Sequence, residues 1–528
     1  MSLACWPAIV YTQNALDLVS LTFSPGPVSD GGVLEAVTVD DVAWLPDSSA
    51  PSGIGSLIEA VRAAEEDISA EETRNGPNSP ALIEHLQSIA ELHRALGDHA
   101  LAIAALERAR LITRVHDGLH TLSQIQFMEA MVDLMEEAGA YYESESLQDE
   151  ILVLASRNDG DARVPSILVA VADRQMDAVT QFLTAGRWDR SLERIHSMEG
   201  SGWDLENIEF LRYFSGKKPL KRLDGAIRET LTNGTYEIGD TLDARDALIE
   251  TYAMIDVVND HNEAGQSRRD EGGVIFESNY LQRDLALSAF RRARRLYSSA
   301  LQTMLESGAQ GSGEYLAVEG RMIETYHFEL QNAELYPTTA RRRMGAAWAQ
   351  EQLRPVVYGT GTSVLEARVV NLLSHRASAV EIAAALMAVG DWHLLFSANG
   401  RAMDLYRDAY DLLVREGVPS ATLTGLVSPP VPAILAELTT DESLPFDPAH
   451  AYSGHVDVAV ETGRFGEVKK ADIDNSSAGT SADVEQRART HVFETRFRPR
   501  YEDGEPRRSD RFTLRYYYDY REWEEDAR

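Results

Sequence analysis

SPALIEHLQSIAELHRALGDHALAIAALERA, residues 79–109, decides the fold class. Apolar residues recur at helical spacing on both sides of Leu96-Gly97-Asp98, so the stretch reads as two helices joined by a tight corner. Pro80 is tolerated in a first helical turn because its missing N–H would have no partner there. Gly97 closes the first helix. Ala90 and Ala102 are small enough to let the two helices touch, and Ala109 would meet a following unit. His93 and Leu106 complete the pattern. Later segments echo it. Ala138-Gly139-Ala140-Tyr141 ends one helix, and Ser144 begins the small positions of the next. Ala185-Gly186-Arg187-Trp188-Asp189, with Ser191 and Ile195, reads as another corner. Val389-Gly390-Asp391-Trp392 reads as a third, followed by Ala402, Tyr406 and Ala409 after a loop longer than in the first unit.

This arrangement of Ala90, Leu96-Gly97-Asp98, Ala102, Leu106 and Ala109 resembles a tetratricopeptide repeat. The corners are spaced more widely than the repeat's period of about 34 residues, so the units are degenerate. The resemblance implies an α-solenoid over residues 56–425, whose groove takes peptides or helices of partner proteins. Between about 205 and 370 the pattern is helical without clear repeats. Leu242–Asn262 and Phe276–Ser307 are long candidates, the second with Leu281, Leu285, Ala289, Ala293, Tyr297 and Ala300 on one face. Tyr315–Leu335 and Thr338–Leu353 flank Tyr336-Pro337 as antiparallel partners. Residues 1–55 read as irregular, with short strand candidates at Val37, Val39 and Val42 among Asp, Gly, Pro and Ser. Pro429, Pro430, Pro432 and Leu444–Pro448 mark a linker over 426–448.

The last segment, 449–528, has a different grammar. Gly454 to Val460 alternates apolar and polar residues as a strand does, and Gly463 to Gly466 reads as a turn. A second strand carries Val468 and Ile473 and stops at Ser476-Ser477. Val484, Ala488 and Val492 recur at helical spacing. Thr495-Arg496-Phe497-Arg498-Pro499 ends that helix, Asp503-Gly504 turns, and Phe512–Tyr518 reads as a final strand. The ordered set Gly454, Val456, Val458, Val460, Gly466, Val468, Ser476, Ala488, Phe497 and Pro499 resembles the C-terminal domain of TonB-type energy transducers, over about residues 445–523. That resemblance implies a small α+β domain, strand-strand-helix-strand, working in the Gram-negative periplasm or envelope and holding an extended partner segment. The membrane anchor and long Pro-rich arm of that family have no counterpart in this sequence. The expected fold is therefore mainly α, a tetratricopeptide-like solenoid carrying a TonB-like domain.

The chain has 84 acidic and 50 basic residues, a formal net charge of −34. Such a charge disfavours nucleic acid and anionic membrane as general partners. Apolar content of 44% and charged content of 25% are those of a globular protein, and the 528-residue length calls for more than one domain. The arginines Arg487, Arg489, Arg496, Arg498, Arg500, Arg507, Arg508, Arg511 and Arg515 make the tail locally basic. They read either as a solvated face or as a surface that docks on the acidic helical body or on an acidic partner. No stretch reaches the ~20 apolar residues of a membrane span, and no secretory leader is visible before Leu3-Ala4-Cys5, a partial lipoprotein box. The single cysteine excludes an intramolecular disulfide.

No constellation reads as catalytic, metal-binding or cofactor-binding. His116 and His120 have ligand spacing, but Asp117-Gly118 between them favours a turn. Tyr358-Gly359-Thr360-Gly361-Thr362-Ser363 reads as a loop capping a helix, without the lysine of a P-loop. Asp159-Gly160-Asp161 lacks the acids of a calcium loop. A buried cluster around Glu324, His327 and Glu329 would be needed for an enzyme in the helical middle. The candidate contact residues lie on the final strand: Arg515, Tyr516, Tyr518 and Tyr520, if that edge is open to an added strand. The alternative is that these tyrosines pack on the helix of residues 484–497 and on the solenoid. The function expected is a non-enzymatic cell-envelope adaptor that binds protein partners through its helical repeats and TonB-like domain, with a link to TonB-dependent transport; the alternative is a cytoplasmic tetratricopeptide-type scaffold in which the tail module is structural.

Overall fold

The computed structural model describes residues 54–185, 219–233, 247–249, 251–252, 278–331, 346–419, 432–434, 454–502 and 505–518. It is mainly helical, with a small antiparallel sheet at the C-terminal end. The helices in chain order are α1 (Ile54–Asn75), α2 (Leu82–Leu96), α3 (His99–Asp117), α4 (Ile125–Glu137), α5 (Tyr141–Arg157) and α6 (Val164–Ala185). They continue as α7 (Pro219–Asn233), α8 (Ser278–Glu306), α9 (Gly313–Gln331), α10 (Ala346–Ser374), α11 (Ala379–Leu395) and α12 (Asn399–Arg415). Then come β1 (Pro432–Ile434), β2 (Gly454–Thr462), β3 (Val468–Ser476), α13 (Ala482–Glu494), β4 (Arg496–Phe497), β5 (Arg500–Glu502), β6 (Glu505–Arg507) and β7 (Phe512–Tyr518). None of the described helices is long and apolar enough to cross a membrane.

One corner geometry recurs in the helical body. Gly97 takes φ 81° and Asp98 follows at φ −86°, ψ 60°. Gly139 takes φ 73° and Ala140 follows at φ −85°, ψ 59°. Ser397 takes φ 63° and Ala398 follows at φ −82°, ψ 53°. In each case the second residue's N–H reaches back to the carbonyl five residues earlier: Asp98 to His93, Ala140 to Met135, Ala398 to His393. Four residues after the corner sits a fully buried small side chain, Ala102, Ser144 or Ala402. Twelve residues before each of these lies its counterpart on the first helix: Ala90, Val132 and Gly390. The spacing is thus shared by α2–α3, α4–α5 and α11–α12.

The third hairpin corrects the sequence reading. Val389-Gly390-Asp391-Trp392 is not a corner but the interior of α11, and no lengthened loop follows. The true corner is Phe396-Ser397-Ala398, hidden because Ser397 adopts the left-handed conformation that Gly97 and Gly139 hold. Gly390 is needed for a different reason. A Cβ there would lie 2.6 Å from Cε1 of Tyr406 on the facing helix. The glycine-rich run 359–363 is corrected likewise. It lies inside α10, so its amides are engaged within the helix and do not form an anion-binding cap. Gly361 instead lets the indole of Trp392 lie against the α10 backbone, where Trp392 Nε1 donates to the Tyr358 carbonyl at 3.1 Å.

Arginine–carboxylate pairs tie alternate helices into two layers. Arg108 meets Glu72, Arg110 meets Glu150 at 2.7 Å and Arg292 meets Asp149, which joins α1, α3, α5 and α8. Arg94 meets Glu137, Arg174 meets Asp133 and Arg321 meets Asp173 at 2.6 Å, which joins α2, α4, α6 and α9. Such pairs contribute little energy each, on the order of 1 kcal/mol or less at exposed sites. The core between the layers carries the stability. It includes Leu82, Ala102, Phe127, Met128 and Met131 toward the N-terminal end, and Tyr297, Leu301, Met322, Val370 and Trp392 toward the C-terminal end.

The long helices expected at Phe276–Ser307 and Tyr315–Leu335 are α8 and α9, and Ala289, Ala293, Tyr297 and Ala300 form the buried face of α8. Of Leu242–Asn262 only helical residues around Ala247, Leu248 and Tyr252 are described. Residues 1–53, with Cys5 and the strand candidates, the corner after Ala185, Tyr336-Pro337 and Asp503-Gly504 lie outside the described residues. Within the expected linker, Pro432–Ile434 is a strand paired with β4.

The two glycines of α10 give opposite predictions. Gly361→Ala should lower stability by about 1–3 kcal/mol, because the added methyl enters the Trp392 ring and the core must shift. Gly359→Ala meets nothing within 4 Å and should raise stability by up to about 1 kcal/mol through helix propensity. Urea unfolding of the two variants against wild type checks both signs.

Candidate functional site

The sheet of the C-terminal module has the order β3-β2-β7, all antiparallel. Alternation in β2 sends Val456, Val458 and Val460 to one face, where they meet Ala488 and Val492 of α13, Leu514 of β7 and Phe497. The opposite face carries Asp457 paired with Arg515 across β2 and β7. Arg515 donates from Nε to Oδ1 at 2.7 Å and from a terminal nitrogen to Oδ2 at 2.8 Å. This fork holds the Asp457 carboxyl below the usual carboxylate range, against the opposing effect of partial burial. The helix starts where Ser481 accepts the Val484 N–H, and Ser476 donates to Glu485 at 2.7 Å, fixing α13 over β3. At the turn, a Cβ on Gly466 would run into the Phe497 carbonyl, so the β2–β3 hairpin approaches β4 closely there.

The four residues singled out for partner contact are placed differently from one another. Arg515 is occupied by Asp457. Tyr516 points to the helix side, its ring edge-on to His491 with centroids 5.4 Å apart, and burial lowers the His491 pKa to about 4. Tyr518 is the last residue of β7, in register with Gly454. Tyr520 lies outside the described residues. What remains for a partner is the backbone of β7. Among the described residues no strand pairs with its outer edge.

The junction between module and helices was not legible as a site. Arg498, between β4 and β5, reaches into α11 and donates to both oxygens of Asp391, at 3.1 and 2.5 Å. Tyr406 on α12 donates to the same carboxylate at 2.7 Å. Asp391 is 8% exposed. Burial opposes the charge on Arg498, but Asp391 outweighs it and the guanidinium stays protonated. Beside it Tyr501 is 4% exposed, donates to the Met403 carbonyl at 3.1 Å and lies against the rings of Tyr406 and Tyr410. Of the two readings of the arginine-rich tail, docking on the helical body therefore describes Arg498, while Arg500 and Arg511 pair with Asp510 and Asp474 inside the module. The only sequence signal was an arginine on each side of Phe497, ahead of Pro499.

Elsewhere the candidates separate. His116, in the last turn of α3, binds the Asn78 carbonyl at 2.7 Å, while His120 contacts Arg157. Asp161 pairs with Arg163, whose hydrogen bonds lower its pKa to about 2. Among the described residues no group of three or more His, Cys, Asp or Glu could hold a metal ion. Glu324, His327 and Glu329 do not converge. Glu329 pairs with Arg294 at 2.7 Å, His327 lies edge-on to Trp392, and Glu324 is exposed near Arg321. The buried polar centre of α9 is instead Glu319. It accepts from the Tyr252 hydroxyl at 3.1 Å and faces Arg368 at 3.3 Å, and burial raises its pKa to about 7 despite both. Comparison with protein-family models and with curated proteins gives no match to the chain.

Two predictions follow from these contacts. Arg498→Ala leaves Asp391 buried beside an incomplete set of donors and should cost about 3–5 kcal/mol of module docking. Limited proteolysis should then cut between residues 415 and 454 faster than in wild type, and unfolding should separate into two transitions. Glu319 is raised above its unfolded pKa, so its favourable contribution is complete below about pH 4.5 and is lost as pH rises through about 7. Glu319→Gln should therefore gain on wild type between these limits, by up to about 3 kcal/mol, in urea titrations run across that range.

Proposed function

We propose that the chain is a non-enzymatic adaptor: a tetratricopeptide-like α-solenoid that carries a TonB-like module and binds protein partners. The observation that carries the reading is the outer edge of β7, which no strand covers among the described residues. An exposed edge offers main-chain donors and acceptors in a row, and an extended segment of another protein can complete them. The sheet is supported for this task by α13 on one face and by the Asp457–Arg515 pair on the other. The recurrence of one corner at 97–98, 139–140 and 397–398, each followed four residues later by a buried small residue, supports the repeat reading of the body. The strand-strand-helix-strand order supports the TonB-like reading of the module, and with it a place in the cell envelope.

The Arg498–Asp391 dock favours a second reading, a cytoplasmic scaffold in which the module is structural. Tyr501 enters the core of the helical body and closes its C-terminal end, as a terminal unit of a repeat array must. The two readings differ in where the protein works and in whether β7 is used.

A photo-crosslinking residue in place of Thr513, in the full chain expressed in its native cells, tests the first reading. It should capture a defined partner that the same residue in place of the exposed Gln486 of α13 does not capture. A partner captured from both positions, or from neither, would overturn the edge-strand role. Fractionation with mass spectrometry of the N-terminus should find the protein in the periplasm or envelope; a purely cytosolic protein would select the scaffold.

A further inference from the structure

Of the nine large apolar side chains left exposed among the described residues, seven lie between Ile58 and Val153, and three of these, Leu101, Leu111 and Val115, are on α3. Scattered apolar residues on a surface need no explanation, but a strip along one helix does. Ala100, Ala104, Glu107, Arg108, Leu111 and Val115 fall within about 100° of the α3 circumference, opposite the buried Ala102, Leu106 and Ala109. All of them are exposed except Arg108, which is half-buried. Arg110 meets Glu150 and His120 meets Arg157, so α5 runs parallel beside α3 and its exposed Tyr142 and Val153 flank the strip.

The strip is complementary to itself. Counting outward from the Glu107–Arg108 peptide, Ala104 and Leu111 stand three residues away, and Ala100 and Val115 stand seven away. A small side chain on one side therefore answers a large one on the other, and at the centre an acid answers a base. A second α3, turned about a two-fold axis at this point, lies antiparallel to the first. Leu111 then covers the other copy's Ala104, Val115 covers Ala100, and Glu107 lies beside Arg108, each contact occurring twice. A parallel arrangement would instead set Glu107 against Glu107 and leave the alanines uncovered. Arg108 already meets Glu72 of its own chain, but a guanidinium has five donors and can serve a second carboxylate. Charge selects the same place. The net charge of −34 opposes self-association over most of the surface, whereas α3 sets Glu107 and Asp117 against Arg108, Arg110 and Arg114. The helix is about 28 Å long, so two such strips cover on the order of 1,000 Å² in total, the lower end for a specific interface.

We infer that the outward face of α3 binds a second copy of this chain, antiparallel about a two-fold axis at Glu107–Arg108. The area predicts a reversible dimer with Kd on the order of 1–100 μM. The surface includes neither the edge of β7 nor the Arg498–Asp391 dock, so its test does not depend on the proposed adaptor role.

Analytical ultracentrifugation of the full-length protein, from about 1 to 300 μM in about 0.15 M salt so that long-range repulsion is screened, tests it. The weight-average mass should rise from monomer toward dimer across that range. Leu111→Glu should raise Kd at least about tenfold, while Val414→Glu on α12, an equally exposed apolar position, should leave it unchanged. Both side chains are more than half exposed, so neither replacement disturbs the packing. Glu107→Arg and Arg108→Glu should each weaken self-association, and an equimolar mixture of the two variants should restore it as a heterodimer, because each then offers the charge the other lacks. A chain that stays monomeric at 300 μM overturns the inference. So does a dimer that withstands Leu111→Glu, one that Val414→Glu weakens equally, or a mixture of the charge variants that does not associate. A photo-crosslinking residue in place of Leu111 that joins its own chain or a different protein, and not a second copy, overturns it as well.

Discussion

A buried carboxylate joins the two parts of this protein. Asp391 sits inside α11, where water cannot solvate it, and three donors converge on its oxygens: two from Arg498 of the C-terminal module and the hydroxyl of Tyr406. An isolated charge at such a place would cost several kcal/mol, so the helical body is not indifferent to the module. The constraint runs both ways. Arg498 can lose water only because Asp391 replaces it, and Tyr501 can bury its ring on Tyr406 and Tyr410 only because Arg498 has fixed the chain beside them. The position of β7 relative to the helical body is set by this contact together with the pairing within the sheet.

The helical body depends on a second constraint, the close approach of paired helices. Ala90 with Ala102, Val132 with Ser144 and Gly390 with Ala402 occupy the same offset around the same corner. Where the side chains are smallest, large aromatics fill the space that is opened. Tyr406 lies on Gly390 and Trp392 on Gly361. The polar pairs between alternate helices add alignment more than energy, because most are partly exposed and solvent screens them.

The C-terminal half of the body holds Glu319 and Glu366 in its interior. Glu319 lies on α9, met by Tyr252 and Arg368, and Glu366 lies on α10 with one oxygen unmet. Both are pushed toward the protonated form by burial. A core built for stability alone would carry apolar residues at such positions.

The sequence by itself determined the helical class, the α2–α3 and α4–α5 corners, and the strand-strand-helix-strand order of the module. Each of these is local: a periodicity of 3.6 or 2, a glycine in the left-handed conformation, a serine at a helix start. It did not determine the third corner, because Ser397 carries no signature of a positive φ and Gly390 does. Nor did it distinguish glycines that cap a helix from glycines that admit a neighbour, which misplaced residues 359–363. The Asp391–Arg498 contact spans 107 residues, and Glu319 meets Tyr252 and Arg368 from segments far apart in the chain. Only the tertiary structure decided these, because the energy of a buried charge depends on which distant groups replace its water, and spacing along the chain holds no record of that.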